Sequence, residues 1–210
     1  MTAVKICGLT RPEDAVLAGE LGAAWVGFNF SAESPRRVSP ETARRLASAA
    51  GDGVVRVGVF VSEGPAMIRE AVDAACLDLV QIHRRLTPED PGAYGVPVVA
   101  VAHMGLSAPK PPPPDLLSKC KAVLFDVRVP GRAGGTGKRF DWSLVAGRSF
   151  GAPVLLAGGL DPGNVAEAIR RVRPWGVDVA SGVESSPGVK DPQKMRRFFD
   201  AVRSADGAAL

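Results

Sequence analysis

The feature that most constrains this chain is an alternation repeated eight times: a short, near-continuous apolar run, then a stretch with apolar residues at helical spacing. The runs fall at about 3 to 7, 24 to 30, 54 to 61, 77 to 83, 97 to 102, 121 to 126, 153 to 157 and 176 to 180. Amphipathic stretches lie between most of them, as at 15–21, 42–49, 66–75, 165–172 and 194–202. Strands that are apolar on both faces belong to a parallel sheet covered by helices, and eight strand–helix units is the count at which such a sheet closes on itself. The expectation is a compact (βα)8 barrel: one catalytic domain over residues 1–205, then a frayed tail at 206–210. A doubly wound open sheet is the competing architecture. It ordinarily opens on a glycine-rich nucleotide turn, and Cys7-Gly8-Leu9-Thr10 is not one.

Capping residues followed by proline mark helix starts at Ser39-Pro40, Thr87-Pro88, Asp161-Pro162 and Asp191-Pro192, where a missing N–H costs nothing. A chain of 210 residues allows about 26 per unit, against about 31 in a barrel of typical size, so some helices must be reduced. The fourth and fifth are the expected ones. The segment 84–95 is short, and 105–115 holds the run Pro111-Pro112-Pro113-Pro114, which a helix cannot absorb.

Composition narrows the function. No apolar run is long enough for a membrane span, and the N-terminus reaches Gly8 without a secretory pattern, so a cytoplasmic protein is expected. Three widely spaced cysteines suit a reducing compartment and argue against a disulfide framework. With only two histidines in the chain, no metal is expected. A net charge of +4, spread as basic pairs without interleaved aromatics, favours a small anionic substrate over nucleic acid.

In a closed parallel barrel the chemistry gathers at the C-terminal ends of the strands. Polar residues close four of the apolar runs: Cys7 the first, His83 the fourth, Asp126 the sixth, and Asp178 through Ser181-Gly182 the eighth. Period-two geometry puts Lys5 on the side of Cys7, and closure makes the first and eighth strands neighbours. Lys5 and Asp178 therefore either pair inside or both face water or substrate, since a lone buried charge is too costly. Glycine-rich turns at Gly134-Gly135-Thr136-Gly137, Gly158-Gly159 and Ser181-Gly182 follow the last three strands, where backbone N–H groups can cradle a phosphate. A nucleotide P-loop does not fit, because Gly131 stands one residue too far from Gly137-Lys138 and Arg139 replaces the magnesium-binding hydroxyl. Arg36, after the second strand, is placed either to grip a carboxylate or on the surface beside Arg37.

These residues together carry a resemblance. Lys5-Ile6-Cys7-Gly8-Leu9-Thr10, Ser34-Pro35-Arg36, Val57-Gly58-Val59-Phe60, Val80-Gln81-Ile82-His83, Leu124-Phe125-Asp126, Gly134 to Gly137 with Phe140-Asp141-Trp142, Leu156 to Leu160, and Val177 to Glu184 running on to Pro187-Gly188 and Lys190-Asp191 occur in that order. Along essentially its whole length the chain resembles the phosphoribosylanthranilate isomerase family of tryptophan biosynthesis, which adopts the TIM-barrel fold. The resemblance implies a cofactor-free Amadori rearrangement of phosphoribosylanthranilate by a monomer or homodimer. It implies Cys7 as general base and Asp126 as general acid. Arg36 would hold the anthranilate carboxylate, and Asp178 would lie near the sugar hydroxyls. Gly158, Gly159, Ser181 and Gly182 would bind phosphate, with Gly135 and His83 completing the substrate-binding set.

The chemistry sets demands on the pair. An ordinary carboxyl must be pushed up by about 2 to 3 pH units to serve as an acid near neutrality, and an ordinary thiol is only a few per cent thiolate there. Lys5 is the expected cation to enrich the thiolate. The chain departs from the family at Arg84-Arg85, where a glycine and often an acidic residue are usual, at the proline run, and at Ala180 in place of serine. The competing functions are another sugar-phosphate isomerase or epimerase on the same scaffold, including the aminoimidazole-ribotide isomerase that uses two aspartates, and a non-catalytic phosphosugar-binding protein.

Overall fold

Each apolar run becomes one strand of a closed parallel ring. In chain order the strands are β1 (Ala3–Cys7), β2 (Trp25–Asn29), β3 (Val55–Phe60), β4 (Leu79–Ile82), β5 (Val98–Met104), β6 (Ala122–Val127), β7 (Val154–Leu156) and β8 (Gly176–Val179), with β8 pairing back onto β1. The structure is a computed structural model and describes residues 1–104, 111–127 and 141–207. Alternation along the strands sorts their side chains into two cores. Trp25, Val57, Leu79, Val99, Val101, Leu124 and Leu155 fill the interior of the ring, while Val4, Ile6, Val26, Phe28, Val80, Phe125 and Val177 point outward beneath the helices. The open sheet is thereby excluded.

The helices are α1 (Pro12–Leu21), α2 (Pro40–Ala50), α3 (Pro65–Ala75), α4 (Pro114–Leu117), α5 (Val165–Val172) and α6 (Pro192–Gly207). Two of the four capped-proline starts hold as expected, at Pro40, where Ser39 Oγ accepts from Thr42 N at 3.2 Å, and at Pro192. After Asp161, Pro162 enters a turn and α5 begins only at Val165, because Asn164 is diverted to the preceding loop: its side chain bonds Asp161 N and Gly159 O. At Thr87-Pro88 no helix forms. Pro91 lacks a donor, and Gly92 and Gly95 adopt positive φ (103° and 72°), so the backbone turns repeatedly. Asp90 organises this segment instead: it accepts from Thr87 N, both Arg84 Nη atoms and Tyr94 OH, with Asp90 and Tyr94 buried. The Arg84 departure is thus one half of a clamp that replaces the fourth helix.

The fifth helix is reduced to the single turn of α4, with Pro111 to Pro113 outside it. Reduction extends to the sixth unit as well, whose described part holds only a three-residue 3₁₀ turn (Trp142–Leu144). After β8, a 3₁₀ turn (Ser181–Val183) leads into a small antiparallel hairpin, β9 (Glu184–Ser186) and β10 (Val189–Lys190), which the sequence reading did not anticipate. The last helix runs on through Gly207, so 206–207 are not frayed; Asp206 accepts from both the amide and the hydroxyl of Thr2 at 2.7 Å. Residues 208–210 lie outside the described residues.

Candidate active site

The first strand brings Lys5 and Cys7 to the inner face, and β8 brings Asp178 level with Lys5 in register. Lys5 Nζ donates to Asp178 Oδ1 at 2.9 Å, and both residues are buried, so the pairing alternative holds. Gly27, the register partner of Cys7, makes the space for this group. A Cβ built there would lie 2.9 Å from Cys7 Sγ and 3.1 Å from Lys5 Nζ. Burial opposes the charge of Lys5, but Asp178 and then Cys7 more than offset it and its pKa rises. Lys5 acts on the thiol in the expected direction but does not prevail. Burial raises the Cys7 pKa above its ordinary value and outweighs the opposing pull of Lys5, part of which Asp178 cancels.

Asp126 lies one residue before the end of β6, half-buried, on the inner face it shares with Leu124; Phe125 points outward. Its register partner on β5 is His103, a residue that sequence reasoning passed over because the fifth run was ended at 102. His103 Nε2 donates to the carbonyl of His83 at 2.7 Å, and the two rings lie 5.7 Å apart. His83 Nε2 meets Gln81 Nε2 at 2.8 Å; an amide N–H₂ only donates, so the His83 proton sits on Nδ1. Burial first, then the neighbouring His103 and Lys5, push the His83 pKa down to about 3, and the ring is neutral.

Arg36 is a buried residue, not a surface one. Its stem crosses Gly8, where φ is +72° and a Cβ would meet Arg36 Cδ at 2.4 Å. Its Nε and Nη2 form a fork onto Glu184 Oε1 and Oε2 at 2.8 and 2.7 Å. Glu184 also accepts from Lys190 Nζ at 2.9 Å, and that ammonium donates to the carbonyls of Cys7 (2.6 Å) and Ala180 (3.2 Å). Glu184 and Lys190 were part of the quoted motif but were given no role. The residues that tie them to the site, Arg36 and Cys7, sit 148 and 183 positions away, and no spacing reveals them.

The glycine turns stand where the reading put them, except that Gly134 to Gly137 lies outside the described residues. Gly158 and Gly159 both adopt left-handed backbone (φ 82° and 69°), which turns the chain at the barrel mouth. Gly182 packs onto the Leu160 carbonyl so closely that a Cβ would lie 1.8 Å from its oxygen, locking the loops after β7 and β8 together. Ser181 opens the 3₁₀ turn beside it.

A closed ring with its ionisable inner residues at the C-terminal mouth defines a (βα)8-barrel enzyme. The family model for N-(5'phosphoribosyl)anthranilate (PRA) isomerase matches residues 4–201, and the chain belongs to that family. It is 45% identical over 210 residues to the N-(5'-phosphoribosyl)anthranilate isomerase of Myxococcus xanthus, covering 96% of each chain. The crystal structure of phosphoribosyl anthranilate isomerase from Thermus thermophilus is similar at a TM-score of 0.83 and 37% identity, covering 97% of this chain and 99% of that one. A family structure in complex with reduced 1-(o-carboxyphenylamino)-1-deoxyribulose 5-phosphate is similar at a TM-score of 0.79 and 36% identity, covering 97% of this chain and 100% of the other.

Proposed function

We propose that this protein catalyses the cofactor-free Amadori rearrangement of N-(5'-phosphoribosyl)anthranilate to 1-(2-carboxyphenylamino)-1-deoxyribulose 5-phosphate, a step of tryptophan biosynthesis, in the cytoplasm and as a monomer or homodimer. The observation that carries the reading is the near-complete family match, with a buried thiol on β1 and a carboxyl on β6 opening on the same mouth. Among the described residues no helix is long and apolar enough to cross a membrane.

In this mechanism Asp126 protonates the ribose ring oxygen. The C1–O bond breaks as the anilino nitrogen lone pair forms a Schiff base. The Cys7 thiolate then removes the C2 proton, and its electron pair neutralises the iminium to give an enolamine. In the tautomerisation the Cys7 thiol gives its proton to C1 and the Asp126 carboxylate takes the C2 hydroxyl proton, so both catalytic groups return to their starting states. Arg36 binds the anthranilate carboxylate, and Asp178, held by Lys5, faces the sugar hydroxyls. The turns at Gly158-Gly159 and Ser181-Gly182, with Gly135, receive the phosphate. His83 contributes as a neutral group, because Gln81 fixes its tautomer. Burial raises the thiol pKa and Lys5 opposes it, so Lys5 favours the thiolate that takes the C2 proton.

The test is loss of phosphoribosylanthranilate fluorescence on adding the purified protein. Cys7→Ser and Asp126→Asn should each lower turnover by about three orders of magnitude without unfolding the barrel. Wild-type rates in either variant would remove that residue's role. Tight binding of the reduced product analogue without any turnover would favour a binding protein.

A further inference from the structure

Arg36, Glu184 and Lys190 form a buried charge triad at the edge of the site, 7%, 7% and 2% exposed. Two cations and one anion leave it a formal charge of +1. A guanidinium has two edges that can each meet a carboxylate with a pair of parallel hydrogen bonds. Glu184 occupies the edge made by Nε and Nη2. Among the described residues, the edge made by Nη1 and the second Nη2 hydrogen has no partner. Glu184 is itself fixed on three sides, by Arg36, by Lys190 Nζ and by the Gly188 amide at 3.3 Å.

An Arg36–Glu184 pair alone would be neutral, and an incoming carboxylate would meet a second carboxylate across one guanidinium. Lys190 removes that penalty. We propose that Glu184 and Lys190 are positioning residues for anion recognition. Glu184 aims the Nη1–Nη2 edge of Arg36 at the substrate carboxylate, and Lys190 cancels the Glu184 charge so that Arg36 keeps its attraction. The inference rests on Arg36 being the carboxylate-binding group.

Lys190 also ties the Cys7 and Ala180 carbonyls, so a purely structural role must be separated from the charge role. Two pairs of variants do this. Lys190→Met and Lys190→Gln remove the charge, the second keeping a donor for the carbonyls. Each is then combined with Glu184→Gln, which removes the uncompensated anion while the ties stay as they were. The measurements are KM and kcat for phosphoribosylanthranilate, with inhibition by anthranilate as the probe of the carboxylate end and by inorganic phosphate as the probe of the other end. Either Lys190 variant should raise KM and the anthranilate inhibition constant about tenfold or more, and leave phosphate inhibition within about twofold. Adding Glu184→Gln should recover at least about threefold of the loss. Double variants no better than the single ones, or equal weakening of anthranilate and phosphate, would overturn the inference. If Arg36→Met leaves KM unchanged, it is the reading of Arg36 that fails; if the wild-type protein gives no turnover, it is the proposed activity.

Discussion

Replacing Lys5 by methionine keeps an unbranched side chain only one atom shorter and removes its charge, and the structure sets two consequences. Asp178, buried at 9% exposure, loses the ammonium 2.9 Å away. Breaking a buried pair from one side costs about 3 to 5 kcal/mol. The second consequence is chemical. Nζ and Sγ both lie around the point a Gly27 Cβ would occupy, 3.1 and 2.9 Å from it, so the two atoms are at most about 6 Å apart. At an effective dielectric of about 20, a unit charge at that distance is worth about 3 kcal/mol. The Cys7 pKa, already raised by burial, should climb further, and the thiolate fraction at fixed pH should fall. Turnover should fall with it. The assays are kcat against pH and peptide-resolved alkylation of Cys7 against pH, which separates it from Cys76 and Cys120. Adding Asp178→Asn should restore most of the lost stability in denaturant titration while turnover stays at least about tenfold down. A folded Lys5→Met protein whose Cys7 alkylation profile moves by less than about half a pH unit would refute this account of the thiol.

Three further outcomes follow from particular contacts. Gly182→Ala should destabilise the protein by at least about 2 kcal/mol in thermal or denaturant unfolding and raise KM, because its Cβ would lie 1.8 Å from a backbone oxygen that cannot rotate away. Asp90 sits at a pKa of about 2 because burial, which would raise it, is outweighed by the hydrogen bonds from Arg84, Tyr94 and the Thr87 amide. A depressed carboxylate stabilises the fold above its unfolded pKa of about 3.9 and loses that contribution as pH falls toward 2. Asp90→Asn should therefore cost about 2 kcal/mol at pH 7, and its deficit against wild type should shrink through that window in acid unfolding. With two histidines in the chain, ¹⁵N-imidazole NMR gives two sets of signals, and His83 should hold the neutral Nδ1–H form down to about pH 4. Titration of His83 near pH 6.5 would contradict its burial.

The barrel was legible because strands covered on both sides are apolar throughout, and that signal needs no partner information. The Lys5–Asp178 pair was legible for a related reason: side-chain parity and ring closure leave those two charges few places to go. Local signals were weaker. Thr87-Pro88 carried the signature of a helix start, but Pro91 and Gly92 overrode it three residues later. The β9–β10 hairpin has strands of three and two residues, too short for alternation to register. The Arg36–Glu184 fork spans 148 positions, and only the assembled barrel brings its ends together. Lys5 was legible as the cation that favours the Cys7 thiolate, but a sequence does not weigh that charge against the loss of water around the thiol.

The bond between Lys5 and Asp178 joins residues 173 positions apart, one on the first strand of the ring and the other on its eighth. Until residue 178 is made, the strand that carries Cys7 lacks the carboxylate that pairs with Lys5 and has only one of its two flanking strands. No shortened form of the chain that stops before the eighth strand can assemble the thiol's surroundings, whatever the intervening units have already achieved. Appearance of catalysis during synthesis or refolding would then time the sealing of the final seam.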